Sequence, residues 1–366
     1  MKASKLDICI TKRKDGIFMG RFIIDRDESG KAVYQYVYGN TYDDAYKKVQ
    51  IGMEVELRFQ SGKCISVLEV YREWITAIAN RVKESSFVNY CNKFEKHIIP
   101  EFGDIPCVDI NAVKLNNFIN KKLSEGFSAS YIKDIITVFK SMLIYAQEEY
   151  GFSLSLKNVI LPKIEKKKVE KFSDNDQKVL ISHIKEHMTL TGLGILISLY
   201  MGLRIGELCG LTWADIDIEN RVLYVHRTVQ RICTCNSDGK KTKIIISVPK
   251  SDTSFREIAI PEFLAEYFMA FKGDDNYYVL SGSEKIVEPR AYQYRYKRVL
   301  SESNSGDHTY HGLRHTFATN CIQNGFDVKT LSMILGHKTV NITLNRYVHP
   351  DYVHERKLMN KLAMLF

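Results

Sequence analysis

The chain has 366 residues, 45% hydrophobic and 26% charged, with a formal net charge of +9. That is enough apolar material for two or three packed domains and excludes a disordered chain. The positive balance is spread along the sequence instead of forming a tail; a polyanion would meet a folded surface, although simple solubility would give the same balance. The longest apolar run, LTGLGILISLYMGL from 190 to 203, is too short to cross a bilayer. The opening MKASKLDICITKRKDG lacks the apolar stretch of a signal peptide, so a cytoplasmic protein with no membrane partner is expected. The eight cysteines lack C-x-x-C spacing, and only Cys233 and Cys235 are close, so reduced structural thiols are expected.

Residues 8 to 40 alternate in strand fashion: ICITKR, GIFMGRFIID, a charged turn at RDESGK, then AVYQYVYG. In the last, Val33, Gln35 and Val37 share one side and Tyr34, Tyr36 and Tyr38 the other. Thr41 followed by Asp43 and Asp44 reads as a helix start. The first block, 1–62, is therefore expected to be a small three-stranded sheet plus a helix.

Helical periodicity takes over across 64–160, in segments that each end near Gly, Pro or a polar cluster. In the last segment Ile132, Ile135, Ile136, Phe139, Met142, Leu143 and Ala146 trace one apolar stripe, which predicts a helical bundle. The lysine-rich stretch 161–172 has little to bury; it reads as a connector, either solvated or lying on phosphates.

The third block, 173–366, opens with Ser173 as N-cap and Asp174 and Asp176 in the first turn. RVLYVHRTVQRI, KIIISVPK and FREIAIP resemble consecutive antiparallel strands, and the chain after about 288 is expected to be helical. The predicted class is mainly α with small β-sheets in three domains, the last mixed α+β.

The polar residues of this block follow an unusual pattern. His311 and Arg314 stand three apart at helical spacing, so both project from one face. His337 follows a Leu-Gly turn signal, with Tyr347 ten residues later. Arg204, in GLRIGELCGL after an apolar helix, would be costly unless it faces an anion or a cleft. Two arginines can fork onto phosphate oxygens and stabilise the charge of a pentacoordinate transition state. A tyrosine hydroxyl becomes a nucleophile where cations stabilise its phenolate and an imidazole helps remove the proton.

The segments GLRIGEL, VPKSDTSFREIAIP, HGLRHTFAT, LGHKT and NRYVHP resemble the motif boxes of the tyrosine recombinases, the family of phage and conjugative-transposon integrases. The resemblance spans most of 173 to 350. It implies that Arg204 and Arg314 clamp a scissile phosphate and that Tyr347 attacks it to give a 3′-phosphotyrosyl link and a free 5′-hydroxyl. Lys250 would be the general acid, His311 would assist proton transfer and His337 would hold the phosphate. No cofactor or metal is implied. The same resemblance casts 64–160 as a core-binding domain and 1–62 as an arm-binding domain. It implies double-stranded DNA attachment sites as partner, a homotetramer on DNA, excision and DNA-bending accessory factors, and a nucleoid-associated location. Three alternatives remain: a type IB topoisomerase with the same chemistry, against which the N-terminal sheet argues; a catalytically silent DNA-binding regulator; and a metal-dependent nuclease, for which no suitable carboxylate cluster is evident.

Neighbouring residues receive plainer roles. His308 and His315 are assigned to packing or to helix N-terminal contacts, Glu207 to orienting its helix or Arg204, Trp213 to the core and Asp215 to turn capping. His349 is either exposed or close to the nucleophile. The apolar residues of the final DYVHERKLMNKLAMLF are expected to dock on the same domain or, preferentially, on a neighbouring protomer.

Overall fold

The computed structural model describes residues 9–26, 29–62, 65–164, 171–234, 242–247, 255–347, 356 and 359–360. Lys250, His349, the middle of the lysine-rich connector and nearly all of the C-terminal stretch lie outside them. The chain divides into two compact units, Met1–Lys166 and Lys167–Phe366.

The first unit opens with an antiparallel sheet of β1 (Cys9–Lys12), β2 (Phe18–Arg26) and β3 (Ala32–Gly39), in that order. Helix α1 (Tyr42–Gly62) starts where Thr41 Oγ1 accepts from the Asp44 amide, and it packs across β2 and β3. Alternation decides which face meets the helix. Phe22 is buried, and a Cβ on Gly20 would lie 2.4 Å from Val49, so this face admits the helix only because position 20 carries no side chain. The opposite face leaves Tyr34, Tyr36 and Tyr38 exposed, with the Arg21 guanidinium over the Tyr34 ring at 4.7 Å.

Helices α2 (Val67–Ile78), α3 (Glu84–Lys93), α4 (Ile99–Phe102), α5 (Ala112–Ser124) and α6 (Ala129–Tyr150) form the rest of this unit. Ser66 and Glu69 close a capping box at α2, and Asn111 and Ser128 cap α5 and α6. Between α3 and α4 the backbone widens into a π turn, Phe94–Ile98, where Pro100 cannot bond back to the residue four before it. All seven residues of the predicted α6 stripe are buried and join one core with Val67, Trp74, Phe94 and Phe118.

The second unit is built around α8 (Leu190–Met201), which follows α7 (Asp174–Glu186) and is buried on nearly every side. Around it lie the short α9 (Ile205–Cys209), then α10 (Glu262–Phe271), α11 (Pro289–Ser303) and α12 (Tyr310–Gln323). Ser198 and Tyr310 share a 2.5 Å hydrogen bond inside this core. Helices α13 (Val328–Leu335) and α14 (Val340–Tyr347) close the unit.

The strands depart from the three-strand run expected of them. They are β4 (Ile216–Asp217), β5 (Val222–Val225), β6 (Thr228–Cys233), β7 (Thr242–Ser247) and β8 (Arg256–Ala259). They form two sheets, β4-β5-β8 and the hairpin β6-β7. The stretch read as one strand breaks at His226 and Arg227, where Arg227 turns to donate to Thr212 Oγ1 at 2.8 Å and Asp215 Oδ2 at 2.5 Å. Asp215 also accepts from the Thr212 amide at 2.9 Å, and Trp213 is buried. Among the described residues no helix is long and apolar enough to cross a membrane.

Candidate active site

Two helix ends create the site. α8 stops at Gly202 and α13 at Gly336, both in the left-handed conformation (φ 69° and 62°). A Cβ on Gly202 would come within 2.5 Å of the Phe317 ring, so the position excludes side chains on both conformational and steric grounds. The last carbonyls of a helix have no intrahelical partner and carry the negative end of its dipole. Here arginines satisfy them.

Three consecutive carbonyls at the end of α13 each accept from a different guanidinium. Ile334 accepts from Arg256 Nε at 2.6 Å, Leu335 from Arg314 Nη2 at 2.5 Å and Gly336 from Arg204 Nη2 at 3.3 Å. Arg314 also donates to the Gly202 carbonyl at 2.7 Å, bridging the ends of α8 and α13. It is only 2% exposed. Burial and then the neighbouring Arg204 lower its pKa to about 9, which still leaves it charged at neutral pH.

Glu207 is the counter-ion. Its two oxygens accept from Arg204 Nη1 (2.7 Å), the Arg204 amide (2.9 Å), Arg256 Nη1 (3.1 Å) and Arg256 Nη2 (2.8 Å). Burial alone would raise this carboxyl's pKa, but Arg256 outweighs it, with Arg204 and Arg314 helping, and holds the pKa at about 2. Three guanidinium groups around one carboxylate leave net positive charge, most accessible at the half-exposed Arg204. An anion is the ligand that balances it.

Tyr347, at the end of α14, is 7% exposed and packs with Phe317, Ala318, Leu331 and Leu335. Its hydroxyl is fully buried and has no hydrogen-bond partner among the described residues. Burial raises its pKa, while Arg314, Arg346 and Arg204 pull toward the phenolate. The His337 ring stands parallel to it at 6.3 Å between centroids, and His337 Nδ1 shares a 2.8 Å bond with Thr343 Oγ1 of α14. Burial, then Arg314 and Arg204, depress His337 to about 4, so this imidazole is neutral. His311 is exposed; partial desolvation and Arg314 lower its pKa also.

The structure thus brings Arg204, His311, Arg314, His337 and Tyr347 into one cluster, whereas Lys250 lies outside the described residues. Two further members join them, of which Arg256 was not singled out from the sequence. Arg256 has a legible signal, because period-2 alternation puts it on the buried side of β8 with Ile258. His315 was assigned to packing or a helix N-terminal contact. It is indeed packed and buried, between His311, at 4.4 Å, and Tyr347, at 5.4 Å between ring centroids. Its spacing of four from His311 on a helix gives the first contact. His308 stacks on Phe172 at 3.8 Å and bonds Asp176 at 3.1 Å in the first turn of α7.

The sequence pattern of the phage integrase family matches residues 163–354, and that of the phage integrase N-terminal SAM-like domain matches 67–123. The chain is 26% identical over 360 residues to a "Tyrosine recombinase XerC-like" protein of Caldanaerobacter subterraneus subsp. tengcongensis, covering 89% of this chain and 90% of that one. It is 31% identical over 196 residues to the transposase from transposon Tn916 of Enterococcus faecalis, covering 46% of this chain and 45% of that one. Its fold is similar to that of the Tn1549 transposon integrase in complex with transposon right end DNA (TM-score 0.66, 23% identity, 82% of this chain and 100% of that one). It is also similar to lambda integrase in a tetramer bound to a Holliday junction (TM-score 0.58, 18% identity, 96% and 99%). With the matched region covering more than half its length, and with an arginine-lined cluster closing on a buried tyrosine, this chain belongs to the phage integrase family of tyrosine recombinases.

Proposed function

We propose that the protein is a site-specific DNA recombinase that cuts and rejoins duplex DNA through a covalent link to Tyr347, integrating and excising a mobile element. The observation that carries this reading is the buried Tyr347 hydroxyl in the field of Arg314, Arg346 and Arg204. A phenol so placed is protonated at rest. The reaction must therefore take its proton while the same cations stabilise charge on phosphorus.

Arg204 and Arg314 would grip the non-bridging oxygens of the scissile phosphate. Arg204 is half-exposed and available to ligand, while Arg314, held by two carbonyls, keeps a fixed direction. In the tautomer whose Nδ1 accepts from Thr343, His337 presents Nε2–H as a donor to the phosphate. His311 would assist proton transfer. Lys250 would protonate the departing 5′-oxygen. The phosphotyrosyl bond retains the reactive phosphoryl group, so a 5′-hydroxyl from a second duplex can reverse the step without ATP.

Two duplexes, each cut in both strands, require four tyrosines; we take a tetramer on DNA as the working assembly, with accessory bending and excision factors setting direction. Residues 64–160 would grip the core site, and the sheet of 1–62 would read separate arm sites. The test is incubation with duplexes carrying the junction of the encoding element, followed by denaturing electrophoresis. A DNA–protein adduct is expected from the wild type and none from Tyr347→Phe. An adduct that persists in the variant removes Tyr347 from its role.

A further inference from the structure

Three imidazoles lie in the Tyr347 cluster, and they are not equivalent. His337 has its Nδ1 engaged with Thr343 at 2.8 Å. His311 is exposed and meets the edge of His315 at 4.4 Å; no ring contact joins it to the tyrosine among the described residues. His315 is 3% exposed, its ring is 5.4 Å from that of Tyr347, and its Nδ1 is fully buried without a hydrogen-bond partner among the described residues. The Tyr347 hydroxyl is buried too and lacks a well-formed hydrogen bond, with the Arg346 side chain approaching it. A buried imidazole nitrogen without a partner, beside a buried hydroxyl, is costly to keep and calls for a function.

Resting on the strand-exchange reading above, we propose that His315 is the acceptor of the phenolic proton in DNA cleavage. As the phosphate enters, a small movement of the Tyr347 ring brings its hydroxyl to His315 Nδ1. The O–H bond breaks, the proton passes to the imidazole and the electron pair stays on Oη. The Oη–P bond then forms as the P–O5′ bond breaks, and the leaving oxygen takes its proton from the general acid, the role given to Lys250. On rejoining, the incoming 5′-hydroxyl gives its proton to the deprotonated general acid as the O5′–P bond forms and the Oη–P bond breaks, and the proton on His315 returns to the phenolate. The imidazolium would face His311, Arg314, Arg346 and His337, all of which disfavour it. Before DNA enters, His315 therefore stays neutral and ready to accept; the negative charge of the bound phosphate offsets that field during the reaction.

The experiment is single-turnover formation of the covalent adduct on a junction duplex between about pH 6.5 and 8.5. It compares wild type, His315→Phe, His315→Asn and His311→Gln, with circular dichroism and gel shift to establish folding and DNA binding. The smaller, polar Asn serves if Phe disturbs packing. The wild-type rate should be nearly independent of pH. Both His315 variants should be slower by on the order of 10²-fold at neutral pH, with rates that climb toward tenfold per pH unit as hydroxide replaces the missing acceptor. Three results would overturn the assignment: wild-type rates in the folded His315 variants, slower rates that keep the wild-type pH independence, or the steep dependence arising in His311→Gln alone. A wild type that forms no adduct would instead overturn the strand-exchange reading, and this step with it.

Discussion

Glu207 and Arg256 show how much of the site's geometry rests on a single buried ion pair. The carboxylate's four contacts fix the Arg204 backbone and side chain on one side and Arg256 on the other. Removing one partner of a buried pair leaves an uncompensated charge, which costs more than the pair contributes. Arg256→Met should therefore destabilise the second unit by about 3 kcal/mol in urea unfolding. Adding Glu207→Gln should recover part of that loss, as coupled residues do in a double-mutant cycle. The buried histidines make a separate prediction. Burial, then His311, Arg346 and Arg314, lower His315 from 6.5 to about 3. Below the unfolded value the unfolded chain binds a proton that the folded chain refuses, so stability falls as pH drops from about 6.5 toward about 3. By about pH 5.5 this amounts to about 1 kcal/mol for His315, and the drop should shrink in His315→Phe.

At the scale of elements, helix ends do the positioning. α8 and α13 each finish on a left-handed glycine, and the carbonyls exposed there become the seats of Arg314, Arg204 and Arg256. Gly202→Ala would impose an unfavourable φ and a clash with Phe317 together. We expect a loss of about 2 kcal/mol or more in stability, and a larger fall in adduct formation than in DNA binding, because the shifted carbonyl also carries Arg314. The split of β4-β5-β8 from β6-β7 matters at the same scale. β8 is held against β5 and delivers Arg256 from its buried side, while the hairpin runs on independently.

For the whole molecule, the relevant quantity is charge. A net +9 distributed over folded units suits a partner whose phosphates are met at many separate points. Affinity for duplex DNA should then fall on the order of 10³-fold or more between about 50 and 200 mM salt, measured by gel shift or fluorescence anisotropy. A salt-insensitive affinity would argue against broad phosphate contact. The exposed Tyr34, Tyr36 and Tyr38 face, with Arg21 over Tyr34, gives the N-terminal sheet a surface of matching chemistry.

Much of this was written in local pattern. Alternation defined the N-terminal sheet and the two sides of its last strand, period 3.6 defined the α6 stripe, and Ser173 with its acidic neighbours marked the start of α7. The spacing of His311 and Arg314 put both on one helix face; that Arg204, Lys250, His337 and Tyr347 belong with them was legible through the resemblance of the motif boxes. Local pattern could not reveal that Val222–Val225 and Thr228–Cys233 join different sheets, since strand pairing is a choice among distant partners. Nor could it show that Arg256 would reach Glu207 and the end of α13, or that His315 would sit against Tyr347. Those contacts span 49, 78 and 32 positions of the chain, and only packing around α8 brings such distant groups into contact.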